Sequence, residues 1–253
     1  RSVSWFPGMY QISVSPRMSA SSCSSGRGAC KSPRKTTASG LRAHTISTTL
    51  SLHDATAKRW SIKVTPYASW VENYIDADRV TPPMMWDPNF VQLKFANHDA
   101  FIWGFDVAAE AAITSSPTWG DFSVSGSLAY THGENLDTHD GLYRIMPLNG
   151  TVALNHRLGD WSNTLEVEAV AAKTDVSTTR LERETAGYGL VGYRTSYRWR
   201  NVDVGLGADN LFDRKYALPL GGVNLTDYGW FGTDLHPVYG QGRTVWASVK
   251  VSF

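Results

Sequence analysis

From residue 44 onward the apolar residues recur with a period of two, not 3.6, which commits this part of the chain to strands. In Asp121–Thr131 the residues Phe122, Val124, Gly126, Leu128 and Tyr130 alternate with Ser123, Ser125, Ser127, Ala129 and Thr131. After Trp161, the residues Leu165, Val167, Ala169 and Ala171 alternate with Thr164, Glu166 and Glu168. The same pattern sets Val202, Val204, Leu206 and Ala208 against Asp203, Gly205, Gly207 and Asp209. At the end of the chain Val245, Ala247, Val249, Val251 and Phe253 oppose Thr244, Trp246, Ser248, Lys250 and Ser252. Less regular stretches at 45–53, 60–74, 91–114, 146–157 and 186–199 bring the expectation to about nine antiparallel strands. Many exceed the ~5–6 residues usual in soluble proteins and match the ~9–11 needed by a tilted strand crossing a bilayer.

The connections alternate short and long. The short ones fall at about 54–59, 115–120, 158–160 and 200–201, and the long ones at about 75–90, 133–145, 174–185 and 213–241. Outer-membrane barrels have short periplasmic turns and long outer loops. Trp60, Trp119, Trp161 and Trp199 each stand in or beside one of the four short turns. Indole favours a membrane interface, with its ring apolar and its N–H wet. One tryptophan per short turn is the pattern of an aromatic girdle. A soluble β-sandwich would bury such rings in its core, with no reason to place one at every second connection. No run of 18 apolar, uncharged residues exists, so no transmembrane helix is expected; a barrel would not show one. The expected fold class is therefore all-β, an antiparallel transmembrane β-barrel.

Residues 1–53 hold seven basic residues and no Asp or Glu, whereas the whole chain of 253 residues has formal net charge +1. That balance lacks the basic excess of a dedicated nucleic-acid binder, and no nucleic-acid partner is expected. Cys23 and Cys30 lie in the run SASSCSSGRGACKSPRKTTASG, whose apolar content is too low to offset the entropy of ordering. Residues 1–43 are thus set apart as a basic Ser/Arg/Pro-rich segment, disordered or translated out of frame. A mobile loop and a processed targeting segment remain alternatives. Neither cysteine matches a zinc spacing.

The stretch Asn210-Leu211-Phe212-Asp213-Arg214-Lys215-Tyr216, followed by Gly242-Arg243-Thr244 and a terminal Phe253, resembles the end of a TonB-dependent outer-membrane receptor. In that family the penultimate strand closes with Asn-Leu-Phe-Asp and a following Tyr. The last strand opens with Gly-Arg and ends in an aromatic residue. Residues 60–76, 143–154 and 217–222 also resemble barrel strands and loops of such receptors. The resemblance covers about residues 44–253. It implies a cell outer membrane location in a Gram-negative bacterium, in contact with outer-membrane lipid. It also implies import of an iron–siderophore or other metal complex without bond chemistry, and no cofactor. The terminal strand would be read by the barrel-assembly machinery. Members carry an N-terminal plug whose short box binds the TonB complex, and their barrels have 22 strands. About nine strands and no plug would make this chain an incomplete C-terminal part, not transport-competent alone.

Signals for catalysis are few. There is no phosphate-binding glycine loop and no Gly-x-Ser-x-Gly elbow. Glu166 and Glu168 share a strand face and are expected to line a wet lumen. His132, Glu134, Asp137, His139 and Asp140 crowd one long connection, and such a set suits Zn, Cu or Fe. Polar outer loops carry these residues in any case, and their spacing is not diagnostic. Met84 and Met85 are either soft ligands or packing filler. The aromatic-rich loop 213–241 either grips a hydrophobic chelate or packs on itself. Two other functions stay open. A small outer-membrane barrel enzyme would need a serine beside His98 or His156. A soluble β-sandwich binding module would leave the membrane without detergent.

Overall fold

The computed structural model describes residues 2–3, 10–20, 40–55, 57, 59–80, 91–224 and 236–252. Nine long strands form the bulk of one antiparallel sheet: β3 (Arg42–Asp54), β4 (Trp60–Arg79), β5 (Leu93–Ser116), β6 (Gly120–Asn135), β8 (Asn149–Leu158), β9 (Trp161–Val170), β10 (Tyr188–Trp199), β11 (Val202–Asp209) and β14 (Thr244–Val251). Each pairs with the next in this series, a simple meander, and the sheet is not closed. Short β7 (Asp140–Gly141) pairs with β6, and β12 (Val223–Asn224) pairs with β13 (His236–Pro237) within the last long loop. Two further strands, β1 (Ser2–Val3) and β2 (Tyr10–Ala20), extend the sheet beyond β3. Pairing therefore reaches into the basic segment. The cysteine-bearing run 21–39 lies outside the described residues, as do the Met84–Met85 pair and Phe253.

Register fixes which residues share a face. Val64, Val107 and Leu128 pair in a row across β4, β5 and β6, and Val152, Val167 and Val191 across β8, β9 and β10. Tyr197, Val204 and Val249 continue the same face to the last strand. Many of these side chains are strongly exposed, Val152 at 56% and Val249 at 68%. An apolar outer face of this kind needs lipid rather than water against it. The opposite face is polar and hydrogen-bonded across strands. Thr45 meets Ser69 at 2.8 Å, Tyr67 meets Thr131 at 2.6 Å, and Arg194 donates to Glu166 at 2.9 Å. That last contact places Glu166 on the polar face, in an ion pair.

Two aromatic crossings show why glycine stands in this polar face. Tyr67 reaches Thr131 over Gly104, where an added Cβ would lie 2.1 Å from the Tyr130 carbonyl oxygen and 2.7 Å from the Tyr67 hydroxyl. Trp246 crosses Gly207 to donate its indole N–H to Asp209 at 3.1 Å, and a Cβ at 207 would lie 2.3 Å from the ring.

β4 runs past its sequence-based end at 74, on to Arg79. The register slips between Val71 and Tyr74, so that Glu72 and Asn73 both oppose Asp99, with Asn73 at φ 59°. An extra residue of this kind inverts the facing of every later side chain in the strand. Tyr74, Asp76 and Asp78 thereby join the polar face that Tyr67, Ser69 and Val71 occupy below the bulge.

Candidate functional site

Trp60 opens β4, Trp119 stands in the turn before β6, Trp161 opens β9 and Trp199 closes β10. Trp119 and Trp199 are 74% and 64% exposed. Trp161 and Tyr197 pair at a ring separation of 4.8 Å. A second aromatic belt runs along the outer face toward the long-loop side. Trp70 contacts Phe101 at 5.0 Å, and Trp103 and Phe105 both contact Tyr130, at 5.4 and 5.9 Å. Trp60 and Trp70 stand ten residue steps apart on β4, about 33 Å of strand at ~3.3 Å per residue. A tilt near 40° reduces this to about 25 Å along the membrane normal, the height of the apolar band in outer-membrane barrels.

Beyond the second belt the long connections are tied together by buried charge. Asp76, at 6% exposure, accepts from Arg180 and from its neighbour Ala77 N–H on Oδ1, and from Asn135 on Oδ2, at 2.8–2.9 Å. Arg180 lies over the Tyr143 ring at 4.9 Å. Lys173 is 1% exposed, donates to the Ile145 carbonyl at 2.6 Å and pairs with Glu182 at 3.3 Å. Glu182 also accepts the backbone N–H of Arg144 and of Ser177. Asp140 collects the N–H groups of Thr178 and Thr179 and the hydroxyls of Ser177 and Thr178. Burial pushes the Asp140 carboxyl up, but the Thr179 and Thr178 donors outweigh it and hold it below its ordinary value.

The five candidate metal ligands do not converge. His132 pairs with Asp175 at 2.8 Å, and His139 with Glu134 at 3.1 Å. Asp137 faces His98, and Asp140 holds the 177–179 turn. Among the described residues no group of three or more His, Cys, Asp or Glu converges on a metal position. His98 has Asp78 and Asp137 on its two ring nitrogens. His156 contacts the Trp119 carbonyl and Asn163, and stacks on Phe122 at 4.3 Å. Each imidazole thus has both nitrogens engaged by groups other than serine.

The Asn210–Tyr216 stretch forms a clamp at the root of the last long loop. Asn210, 5% exposed at φ 51°, donates to the carbonyls of Arg214 and Gln241 and accepts the Arg214 N–H. Leu211 N–H bonds the Val191 carbonyl. Asp213 accepts the Arg243 N–H at 2.8 Å, beside Gly242. Phe212 points outward at 79% exposure, while Tyr216 packs on Tyr188 at 4.4 Å. These contacts join the end of β11 to the start of β14.

The family model described as TonB dependent receptor-like, beta-barrel matches residues 41–211. The chain belongs to the TonB-dependent receptor family. Among solved structures this receptor chain is similar to the copper transporter OprC, with 26% identity over 83% of this chain and 32% of that one, at a TM-score of 0.69. It shares the fold of the ferric citrate transporter FecA, with 17% identity over 84% of this chain and 32% of that one, TM-score 0.60. It also shares that of the FrpB iron transporter from Neisseria meningitidis, with 13% identity, 98% and 38% coverage, and TM-score 0.63. The chain therefore spans about a third of the length of these structures. A comparison with curated proteins finds no match.

Proposed function

We propose that this chain is the C-terminal barrel part of a receptor that imports a siderophore or other metal complex across the outer membrane of a Gram-negative bacterium. The observation that carries the reading is the apolar outer face bounded by two aromatic belts, set against a charged inner face. Such a wall needs lipid on one side and water on the other. The kind of cargo follows from family membership and from the named functions of its relatives, copper and iron transporters. Uptake would draw on the TonB complex through a plug supplied elsewhere in the receptor. This chain alone would not transport, because an open sheet leaves backbone groups unpaired in lipid. The long connections would face the medium, where their buried ion pairs keep them ordered for ligand.

Membrane fractionation tests the first half of the reading. The chain should stay with outer membranes through a carbonate wash and leave only with detergent. Release by carbonate would sink it and favour the soluble sandwich. The second half is read from metal accumulation in receptor-deficient cells. A full-length receptor carrying this barrel part should restore TonB-dependent accumulation, and the chain alone should restore none.

A further inference from the structure

One row of the outer face departs from the apolar pattern. Register aligns Phe122, His156, Asn163, Thr195 and Leu206 across β6, β8, β9, β10 and β11. The three central side chains are polar, although the rows above them hold Leu154 with Leu165 and then Val152 with Val167. Their hydrogen bonds run in one direction. The Tyr193 and Thr195 hydroxyls donate to Asn163 Oδ1 at 2.9 and 2.7 Å, and the Asn163 amide donates to His156 Nδ1 at 3.3 Å. His156 Nε2–H in turn donates to the Trp119 carbonyl at 2.9 Å. Asn163 has two side-chain N–H bonds and His156 takes one, so the other is spare. A polar group facing lipid costs free energy unless a partner takes its hydrogen bond, so a spare amide N–H on this face calls for an acceptor.

Spare donors continue toward the short turns. Trp161 and Tyr197 stand two residues below Asn163 and Thr195, about 7 Å of strand, and they are 49% and 37% exposed. Neither the Trp161 indole N–H nor the Tyr197 hydroxyl has a hydrogen-bond partner among the described residues. Below them Arg200 follows Trp199 in the exposed β10–β11 turn. Arg198 pairs with Asp203 at 2.8 Å and has Asp160 beside it, whereas Arg200 has no acid partner among the described residues. From the turn upward this strip of wall presents a cation, then an indole and a phenol, then an amide, then aliphatic side chains.

We propose that the outer face of β9 and β10 seats one phospholipid of the periplasmic leaflet. Phosphate, glycerol esters and acyl chains follow one another in such a lipid in the same order as the groups on the wall. Arg200 takes the phosphate, for which a guanidinium is suited. Trp161 and Tyr197, residues that favour the headgroup level, donate with Asn163 to the ester oxygens. The chains lie along Leu165, Val167 and Val191. The inference rests on the receptor reading, which turns the short connections toward the periplasm.

The test uses the full-length receptor carrying this barrel part, taken from outer membranes and stripped of lipid in detergent. It is titrated with phosphatidylethanolamine or with diacylglycerol, which lacks the phosphate, and native mass spectrometry counts the bound lipid. A saturable phospholipid site is expected. Asn163→Leu should weaken binding of both lipids about tenfold (about 1.4 kcal/mol). Arg200→Gln should weaken the phospholipid as much and leave diacylglycerol unchanged. Ile62→Val, on the lipid face of β4, should bind as the parent does. Unheated gel mobility shows whether each variant is folded, and should Asn163→Leu fail there, Arg200→Gln carries the comparison. No saturable phospholipid, or parental affinity in both variants, would overturn the proposal. So would a dimer that Asn163→Leu disperses, which would make the strip a contact between copies. A receptor that restores metal accumulation but holds no lipid overturns the lipid seat alone, and a receptor released by carbonate overturns the receptor reading.

Discussion

Glu182 shows how one side chain can hold two connections. Its carboxylate neutralises a lysine that is 1% exposed and takes two backbone N–H groups from separate loops. Glu182→Gln keeps the shape but strands the Lys173 charge, a loss of about 3–5 kcal/mol for a broken buried pair. Amide exchange at Arg144 and Ser177 should quicken by roughly a hundredfold or more, since this opening is local. Unchanged protection would show that the pair adds nothing. Asp140 offers a pH test of the same region. Its folded pKa lies below the ordinary 3.8, so its contribution is complete above that value and fades as pH falls through the depressed one. The Thr178 and Thr179 amides, corrected for intrinsic rate, should exchange faster below about pH 4, and Asp140→Asn should remove that dependence. None of these partnerships was legible in the sequence. Asp76 and Arg180 are 104 residues apart, and the composition of one loop instead offered a ligand set from 132 to 140, which the contacts scatter: His132 lies on Asp175, Asp137 on His98, Asp140 on the 177–179 turn, and His139 on Glu134.

Strands were the legible level, because a lipid face and a wet face impose period two on every crossing. The nine main strands fall where alternation put them, and the four short turns fall where their tryptophans stand. Two things were hidden. The end of β4 lies beyond the slip between Val71 and Tyr74, which breaks the period of two, so only pairing reveals it. The second belt itself is spread over three strands, and register alone brings Trp70, Phe101, Trp103 and Tyr130 together. The two faces predict opposite effects for adjacent residues of β8. Val152→Arg sets a charge near mid-membrane on the lipid side, and denaturant titration in vesicles should show a loss of about 2–4 kcal/mol. Ala153→Arg, beside Glu166 on the polar face, should lose little. Equal losses would mean the faces are assigned wrongly. Gly104→Ala should be worse than an ordinary strand substitution, since its Cβ meets the Tyr130 carbonyl oxygen at 2.1 Å and displaces Tyr67 from Thr131.

For the whole molecule the decisive feature is the edge. β14 pairs with β11 on one side, and no strand covers its other side among the described residues. Its outward valines are bare, Val245 at 74% exposure and Val249 at 68%. Strand count and the odd number of main strands signalled an incomplete wall from sequence, but closure depends on which strands meet, which no local pattern encodes. The sheet in fact runs on through β2, where Tyr10, Ile12, Val14, Met18 and Ala20 alternate with Gln11, Ser13, Ser15, Arg17 and Ser19. The absence of acids across 1–53 marks this stretch by composition, while its period of two is that of the strands that follow. Each unpaired backbone group along β14 costs several kcal/mol in lipid, more in sum than the net stability of a typical domain of ~5–15 kcal/mol. Refolded alone in micelles, the chain should therefore form higher oligomers by edge pairing and show no compact monomer band in unheated gels. Co-refolding with a separate polypeptide carrying the remaining barrel strands and plug of its receptor should convert it to a compact, heat-sensitive species. A compact monomer from this chain alone would mean that its own strands close the wall, and the incomplete-barrel reading would have to be given up.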